Sequence, residues 1–305
     1  METKMKLFKA ILCNGKHILR YTIKIAGVLF SGVTILLAFF SWSDFGMDSK
    51  STRICVLLLL VVLAVILAVA FTLLFRWRTI WKRGTASIQV RYADLISIAF
   101  PKCQKLDRQN KIVVIPVNTC FDTIVDADIS KVDKPLVSPT SIHGKWIASM
   151  QQNGVSVSQI DAQISTFLTM KRINPHRQIP QIQKIRGNLN EYPEGTIAVV
   201  RGKRKTTFFL LAVAGFDTNN VAHCTREQLI HCIEKLISYY NDNGQGFDFY
   251  IPLIGTGLSK TDITHQESME IITTLLKLHS DKIHGRVSVV VFGGDKDKVS
   301  ILDCN

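Results

Sequence analysis

The chain has 305 residues, of which 47% are hydrophobic, and its 37 Lys and Arg against 24 Asp and Glu give a formal net charge of +13. Most of this excess lies at one end, because residues 1–83 hold 12 basic and 3 acidic side chains, which leaves 25 and 21 for residues 84–305. Since the second part is only mildly basic and has no stripe of Lys and Arg among aromatic residues, its composition argues against a nucleic-acid-binding protein.

Two uncharged apolar runs, residues 25–42 and 54–75, predict a pair of membrane-crossing helices. A helix of the second length is about 33 Å long, and the hydrocarbon core is about 30 Å thick. Lys and Arg are concentrated before the first run and after the second, so we expect an inner-membrane hairpin within residues 1–83 with both termini in the cytoplasm. The alternative is a signal peptide followed by a core helix, but no small-residue cleavage site follows the first run.

The remaining residues, 84–305, are enough for one domain with an α/β fold. Apolar runs without alternation are typical of strands covered on both faces, and they occur at 112–117, 196–200, 208–213, 249–254 and 287–292. The capping boxes Thr225-x-x-Gln228 and Thr264-x-x-Glu267 predict helices between the later runs. This order predicts a mostly parallel sheet.

The stretch from 121 to 190 is polar and interrupted by prolines, and it predicts long loops or an insertion with a helix around 158–171.

The spacing of the cysteines indicates whether they form disulfides or bind a metal. Seven cysteines without a Cys-x-x-Cys pair favour a reducing compartment. The pairs His223-Cys224 and His231-Cys232 are eight residues apart, on one side of a helix, but no second cluster completes a four-ligand set. We therefore predict helix surface and core edge at these positions, and no metal or cofactor.

A strand-to-helix turn with two glycines is the strongest local signal in the soluble part. Gly255-Thr256-Gly257 follows a buried strand and precedes a capped helix. Glycine lets the backbone approach an anion closely, and successive N–H groups can then cradle a phosphate. The carboxyl end of a strand is also where open α/β sheets bind ligands. The alternative is a tight turn without a ligand.

Taken in chain order, five segments resemble the landmarks of a macro domain, a three-layer α/β/α sandwich that binds ADP-ribose and related nucleotides. They are 90–95, 115–118, 138–144, 251–259 and 289–295. The resemblance covers roughly residues 86–298. It implies that Asp94 receives the adenine amino group, that Asn118 lies near the distal ribose, and that Phe292 packs on the adenine or in the core.

The resemblance also implies two phosphate loops. The first lacks the usual run of glycines and offers hydroxyls and a histidine, and its candidate ligand-binding residues are Ser138, Thr140, Ser141, His143 and Gly144. The second has the candidates Gly255, Thr256, Gly257 and Leu258.

Departures from the family pattern indicate binding rather than catalysis. The second Asn of the family signature, which is tied to hydrolysis of ADP-ribose linkages, is replaced by Phe121. We therefore predict no catalytic residue, with His143 and Asp122 as the alternatives. Cys120 is predicted to pack in the core rather than to act as a nucleophile.

Two spans followed by a divergent macro domain resemble the effector of a Thoeris antiphage defence system. The resemblance implies that a partner TIR-domain enzyme converts NAD into an ADP-ribose-type signal, in this branch histidine-linked ADP-ribose. The macro domain would bind the signal, oligomerise, and disrupt the lipid bilayer through the spans. The alternatives are a membrane-tethered ADP-ribosyl hydrolase and a passive membrane-anchored nucleotide-binding scaffold.

Overall fold

The computed structural model describes residues 2–102, 109–128, 130–132, 135–202, 205–216, 222–256 and 263–304. The chain divides into two compact units, and the boundary lies between Arg76 and Trp77. The boundary expected from the sequence is after residue 83. Gly294–Asp303 belongs with the N-terminal unit, and Trp77–Gly293 forms the other. Residues 77–83, whose basic side chains suggested a membrane flank, form a strand.

The N-terminal unit consists of α1 (Glu2–Cys13), α2 (Gly15–Phe39) and α3 (Lys50–Leu74). The helices α2 and α3 have 25 residues each and mean hydropathies of 2.0 and 3.5, so both are long and apolar enough to cross a membrane. They pack against each other, with Ala64 and Ala68 fully buried. Small side chains of this kind let two helices approach closely. The predicted pair of long apolar helices is confirmed.

The second unit is built on a mixed sheet with the strand order β1-β2-β10-β9-β3-β7-β6, and β8 pairs with β7. Its strands are β1 (Trp77–Arg83), β2 (Ala86–Tyr92), β3 (Lys111–Asn118), β6 (Ile197–Arg201), β7 (Thr206–Phe216), β8 (Ala222–His223), β9 (Asp248–Pro252) and β10 (Arg286–Val291). A separate ribbon pairs β4 (Arg177–Gln178) with β5 (Asn190–Glu191). Strands β2, β10, β9, β3 and β7 are parallel, as predicted, and β1 and β6 are antiparallel edges.

Helices cover both faces of this sheet. They are α4 (Leu95–Ala99), α5 (Ile142–Gln152), α6 (Val157–Met170), α7 (Arg226–Asn243) and α8 (His265–Leu278). Alternate residues of a strand face opposite sides, and Phe208 packs with Trp146 of α5 while Phe209 packs with Tyr239 of α7. Burial on both faces explains why the strands read as continuous apolar runs.

Local signals explain where the helices begin. Thr225 and Thr264 form the predicted capping boxes of α7 and α8, and Ser156 forms a third for α6. The helix predicted around 158–171 is therefore confirmed as α6. Helices on both faces of a mixed sheet give this unit the predicted three-layer α/β/α architecture.

Candidate nucleotide-binding site

A cavity of about 400 Å³ opens at the carboxyl ends of β3, β7 and β9. These strands are parallel, so their carboxyl ends meet at one edge of the sheet, where α/β proteins bind ligands. The volume is within the range of roughly 300–1,000 Å³ that is usual for small-molecule sites. Residues from four separate segments of the chain meet in this cavity.

Seven of the residues singled out in the sequence line the cavity. They are Asn118, Ser138, Thr140, Ser141, His143, Gly255 and Thr256. Apolar residues complete the wall, among them Leu136, Val137, Val213 and Leu253. Sequence reasoning missed this apolar wall, although the end of the predicted strand at 208–213 was a signal for Val213.

The hydroxyl-rich loop before α5 is held by its own hydrogen bonds. Ser141 caps α5, because its Oγ accepts the Gly144 N–H at 3.0 Å and donates to the Ser138 carbonyl at 2.7 Å. The hydroxyls of Ser138 and Thr140 lie 2.9 Å apart. Ile142 and His143, in the first turn of α5, line the cavity. The start of a helix has free N–H groups and a partial positive charge, which favour an anion there.

Gly144 does not line the cavity, and close packing explains why this residue is a glycine. A side chain there would collide with the Ser138 carbonyl, and its N–H is already bonded to Ser141. This glycine therefore permits the close approach of α5 to the loop of residues 138–141.

His143 is almost fully buried, and its ring stacks 6.0 Å from that of Trp146. Burial lowers the pKa of His143 to about 3, so the imidazole is neutral at pH 7. Among the described residues that line the cavity there is no Lys, Arg, Asp or Glu. Among these residues, N–H groups, hydroxyls and the α5 dipole are the features that favour an anion.

The two residues expected near the adenine, Asp94 and Phe292, do not line the cavity. Asp94 caps α4 by accepting the Ile96 N–H at 3.1 Å and the Ser97 hydroxyl at 2.7 Å. Helix capping therefore accounts for an acidic residue at this position. Phe292, directly after β10, is 54% exposed, which excludes simple core packing. The Lys145 Nζ lies 5.8 Å from its ring centroid. Gly257 and Leu258 lie outside the described residues.

The turn after β3 carries the altered family signature. Asn118 Oδ1 accepts the N–H groups of Cys120 and Asp122, both at 3.1 Å. Phe121 is buried, edge-to-face with Tyr192, and has a φ of +53°. Asn tolerates this left-handed conformation better than Phe does. Asp122 does not line the cavity and binds Lys184, so it is not available to a ligand there.

A second cavity, of about 280 Å³, lies beside this turn. Cys120, Phe121, Asp161, Asn188 and Tyr192 are among its lining residues. Burial raises the pKa of Cys120 to about 11, so its thiol is protonated at neutral pH. This agrees with the prediction that Cys120 packs in the core rather than acting as a nucleophile.

In the described parts of the chain, His, Cys, Asp and Glu form no group of three or more that could hold an ion. Burial raises the pKa of Cys224 to about 11 and that of Cys232 to about 12, so both thiols are protonated at neutral pH.

The model of the macro domain of Thoeris protein ThsA matches residues 88–292, which is more than half of the chain. The chain belongs to the ThsA macro-domain family. Thoeris protein ThsA of Bacillus amyloliquefaciens (strain Y2) is 20% identical over 273 residues, which are 88% of this chain and 82% of that protein. The helices α2 and α3 precede the matched ThsA macro region.

Solved macrodomain structures are similar in fold but distant in sequence. Two structures of the Oceanobacillus iheyensis macrodomain, one of them with ADPR, have TM-scores of 0.45 and 10% identity. They cover 72% of this chain, and the chain covers 88% and 92% of theirs.

Proposed function

We propose that this protein is a membrane-anchored effector of a Thoeris antiphage system, whose macro domain binds an ADP-ribose-type signal. One observation carries the proposal. In a chain of the ThsA macro-domain family, residues from four separate segments meet in one cavity at the carboxyl ends of parallel strands, and the described residues that line it are uncharged. Loop ends and a helix start around such a cavity suit a nucleotide diphosphate.

The diphosphate would bind between the first turn of α5 and the turn at Gly255 and Thr256. Gly255 has a φ of +81°, a conformation that glycine adopts without strain. Ser138 and Thr140 would add hydroxyl donors. The distal ribose would lie near Asn118, and the adenine would pack on the exposed ring of Phe292 with its amino group toward Asp94.

The proposed signal is histidine-linked ADP-ribose, made from NAD by a partner TIR-domain enzyme. Binding without hydrolysis is favoured by Phe121 in place of the second signature Asn and by the uncharged lining. Asp122 is held by Lys184, and the low pKa of His143 keeps its imidazole from serving as a general acid at neutral pH.

Signal binding would then drive homo-oligomerisation and gather α2 and α3 of many copies in the inner membrane, with both termini in the cytoplasm. A ligand moves a two-state protein from 1:99 to 99:1 only if it binds one state more tightly by about 5.5 kcal/mol. A diphosphate and an adenine bound together are large enough to supply a difference of this size. Gathered hairpins would disrupt the bilayer.

The test uses the full chain in detergent, with ADP-ribose and histidine-linked ADP-ribose as probes. Calorimetry should show binding of at least one probe, and light scattering should show a larger particle when it is present. Gly255→Glu should abolish binding, because it adds a negative charge and a side chain at positive φ. Gly84→Glu is the matched control, since Gly84 has a φ of +59° in a turn of the same unit with nothing nearby.

The outcomes separate the alternatives. Cleavage of an ADP-ribosylated substrate that is lost in His143→Gln would favour the membrane-tethered hydrolase. Binding without any change in particle size, and without leakage from vesicles that contain the protein, would favour the passive scaffold. No binding of any ADP-ribose derivative would overturn the proposal.

A further inference from the structure

The turn of residues 184–188 (Lys-Ile-Arg-Gly-Asn) is outside the cavity, yet its hydrogen bonds connect it to two of the four segments that line the cavity. It lies in the polar stretch 121–190, for which the sequence offered no function. Its side chains reach Asp122 and Asp126, which follow β3 and are more than 50 residues away along the chain.

The first contact is a buried ion pair. Lys184 Nζ donates to Asp122 Oδ2 at 2.6 Å, and the two side chains are 2% and 0% exposed. The other carboxylate oxygen of Asp122 accepts the Asn188 N–H at 2.7 Å. Removing one partner of such a pair leaves an uncompensated buried charge, so the pair fixes the position of Asp122.

This pair positions the wall that contains Asn118. The N–H of Asp122 is one of two donors to Asn118 Oδ1, and Asn188 Nδ2 donates to the carbonyls of Cys120 and Phe121 at 3.1 and 3.0 Å. The 184–188 turn thereby holds the whole turn after β3, including the left-handed residue Phe121.

The second contact positions the wall that contains Leu136 and Val137. Arg186 donates to both oxygens of Asp126, at 2.8 and 3.2 Å, and holds the pKa of that carboxyl below its usual range. Asp126 Oδ2 also accepts the Leu136 N–H at 2.8 Å, and the Asp126 N–H donates to the Val137 carbonyl at 3.0 Å. Leu136 and Val137 line the cavity.

Close packing requires a glycine between the two contacts. Gly187 has a φ of +80°, and a side chain there would collide with Asp122 Oδ1 and the Leu136 side chain. A glycine at position 187 therefore lets the turn pack closely against Asp122 and Leu136.

We propose that Lys184 and Arg186 are positioning residues that set the two walls of the cavity relative to each other, without touching the ligand. The inference rests on the proposed function, because the cavity must be the signal site for the spacing to matter. A displacement of about 1 Å in a binding site can cost as much as a hundredfold in function.

The test is Arg186→Gln in the full chain, read by calorimetry with histidine-linked ADP-ribose and ADP-ribose. We expect affinity to fall by about tenfold or more, and the melting temperature is measured in parallel because the Asp126 side chain, which is 4% exposed, loses its charged partner. Arg186→Lys should restore part of the affinity. Arg286→Gln is the matched control, because it removes a similar Arg–carboxylate pair, with Asp248, at the amino ends of β10 and β9.

Hydrogen exchange of the same variants, without ligand, gives a second readout. Arg186→Gln should speed exchange at the Asp126 and Leu136 amides, and Arg286→Gln should not. If the wild type binds neither probe but this exchange pattern appears, the positioning role stands and the proposed function fails. Unchanged affinity and unchanged exchange in Arg186→Gln, or an equal loss in Arg286→Gln, would overturn the inference.

Discussion

The Nε2 atom of His17 lies 2.7 Å from Oδ1 of Asp303, so the start of α2 is joined to the C-terminal end of the chain. The same segment makes two further contacts with the helices of its unit. The Ser300 hydroxyl donates to Asn14 Oδ1 at 2.7 Å, and Lys296 Nζ donates to the Leu73 carbonyl near the end of α3 at 2.8 Å. Residues 294–303 therefore tie the beginning of α2 to the end of α3.

Asp303→Asn should weaken this connection. His17 is buried and Asp303 is partly exposed, so we expect the free energy of unfolding of the helical unit to fall by about 1 kcal/mol. Thermal unfolding in detergent measures the change, and a double-mutant cycle with His17→Gln isolates the pair. Lys298→Gln, which removes an exposed pair of the same segment, should cost less. Equal losses in the two variants would contradict a specific role for the His17–Asp303 contact.

Gly144→Ala should damage both the fold and the cavity. The added methyl group collides with the backbone of Ser138, which cannot move without shifting the loop, so a loss of about 1–3 kcal/mol is expected together with weaker binding of histidine-linked ADP-ribose. Gly293→Ala is the control, because nothing lies within 4 Å of its added methyl. A Gly144→Ala protein with unchanged stability and affinity would show that this close packing is absent.

The buried His143 should make stability sensitive to acid. Its pKa in the folded protein, about 3, is below the value near 6.5 in an unfolded chain, so between these values the unfolded state binds the extra proton. The stabilisation is present above pH 6.5 and is lost as the pH falls, by up to about 1.4 kcal/mol per pH unit. Melting temperatures between pH 4.5 and 7.5 should therefore fall less steeply for His143→Gln than for the wild type.

His231→Gln is the control for this pH series, since His231 is exposed on α7. It should leave the slope unchanged. If the His143→Gln and wild-type curves were parallel over this range, the imidazole would have to be accessible to protons in the folded state.

Phe292→Ala tests the adenine contact. The ring is 54% exposed, so its loss should hardly change stability, whereas loss of stacking on a base costs about 1–3 kcal/mol of binding free energy. Calorimetry with ADP-ribose measures the difference, and Leu278→Ala, at a residue that is 70% exposed, serves as the control. An unaltered affinity would place the adenine elsewhere.

Local sequence patterns were sufficient to predict much of the fold. The five apolar runs contain strands β3, β6, β7, β9 and β10, because both faces of the sheet are covered by helices and most residues of these runs are buried. Thr225 and Thr264 could be recognised because a capping box depends on residues only three apart. The edge strand β1 was missed because its Trp, Arg and Lys side chains are partly exposed and lie beside an apolar helix, where basic residues are also typical of a membrane flank.

The sequence by itself determined the two long apolar helices, the parallel strands and the polar loops at their carboxyl ends, because each depends on neighbours a few residues apart. Only the tertiary structure decided which loop residues share the cavity, why Gly144 is a glycine, and which residues Lys184 and Arg186 contact. The pairs Asp122–Lys184 and Asp126–Arg186 join residues about 60 positions apart. An ion pair of that kind has no periodicity, and its partners are set only when the chain has packed.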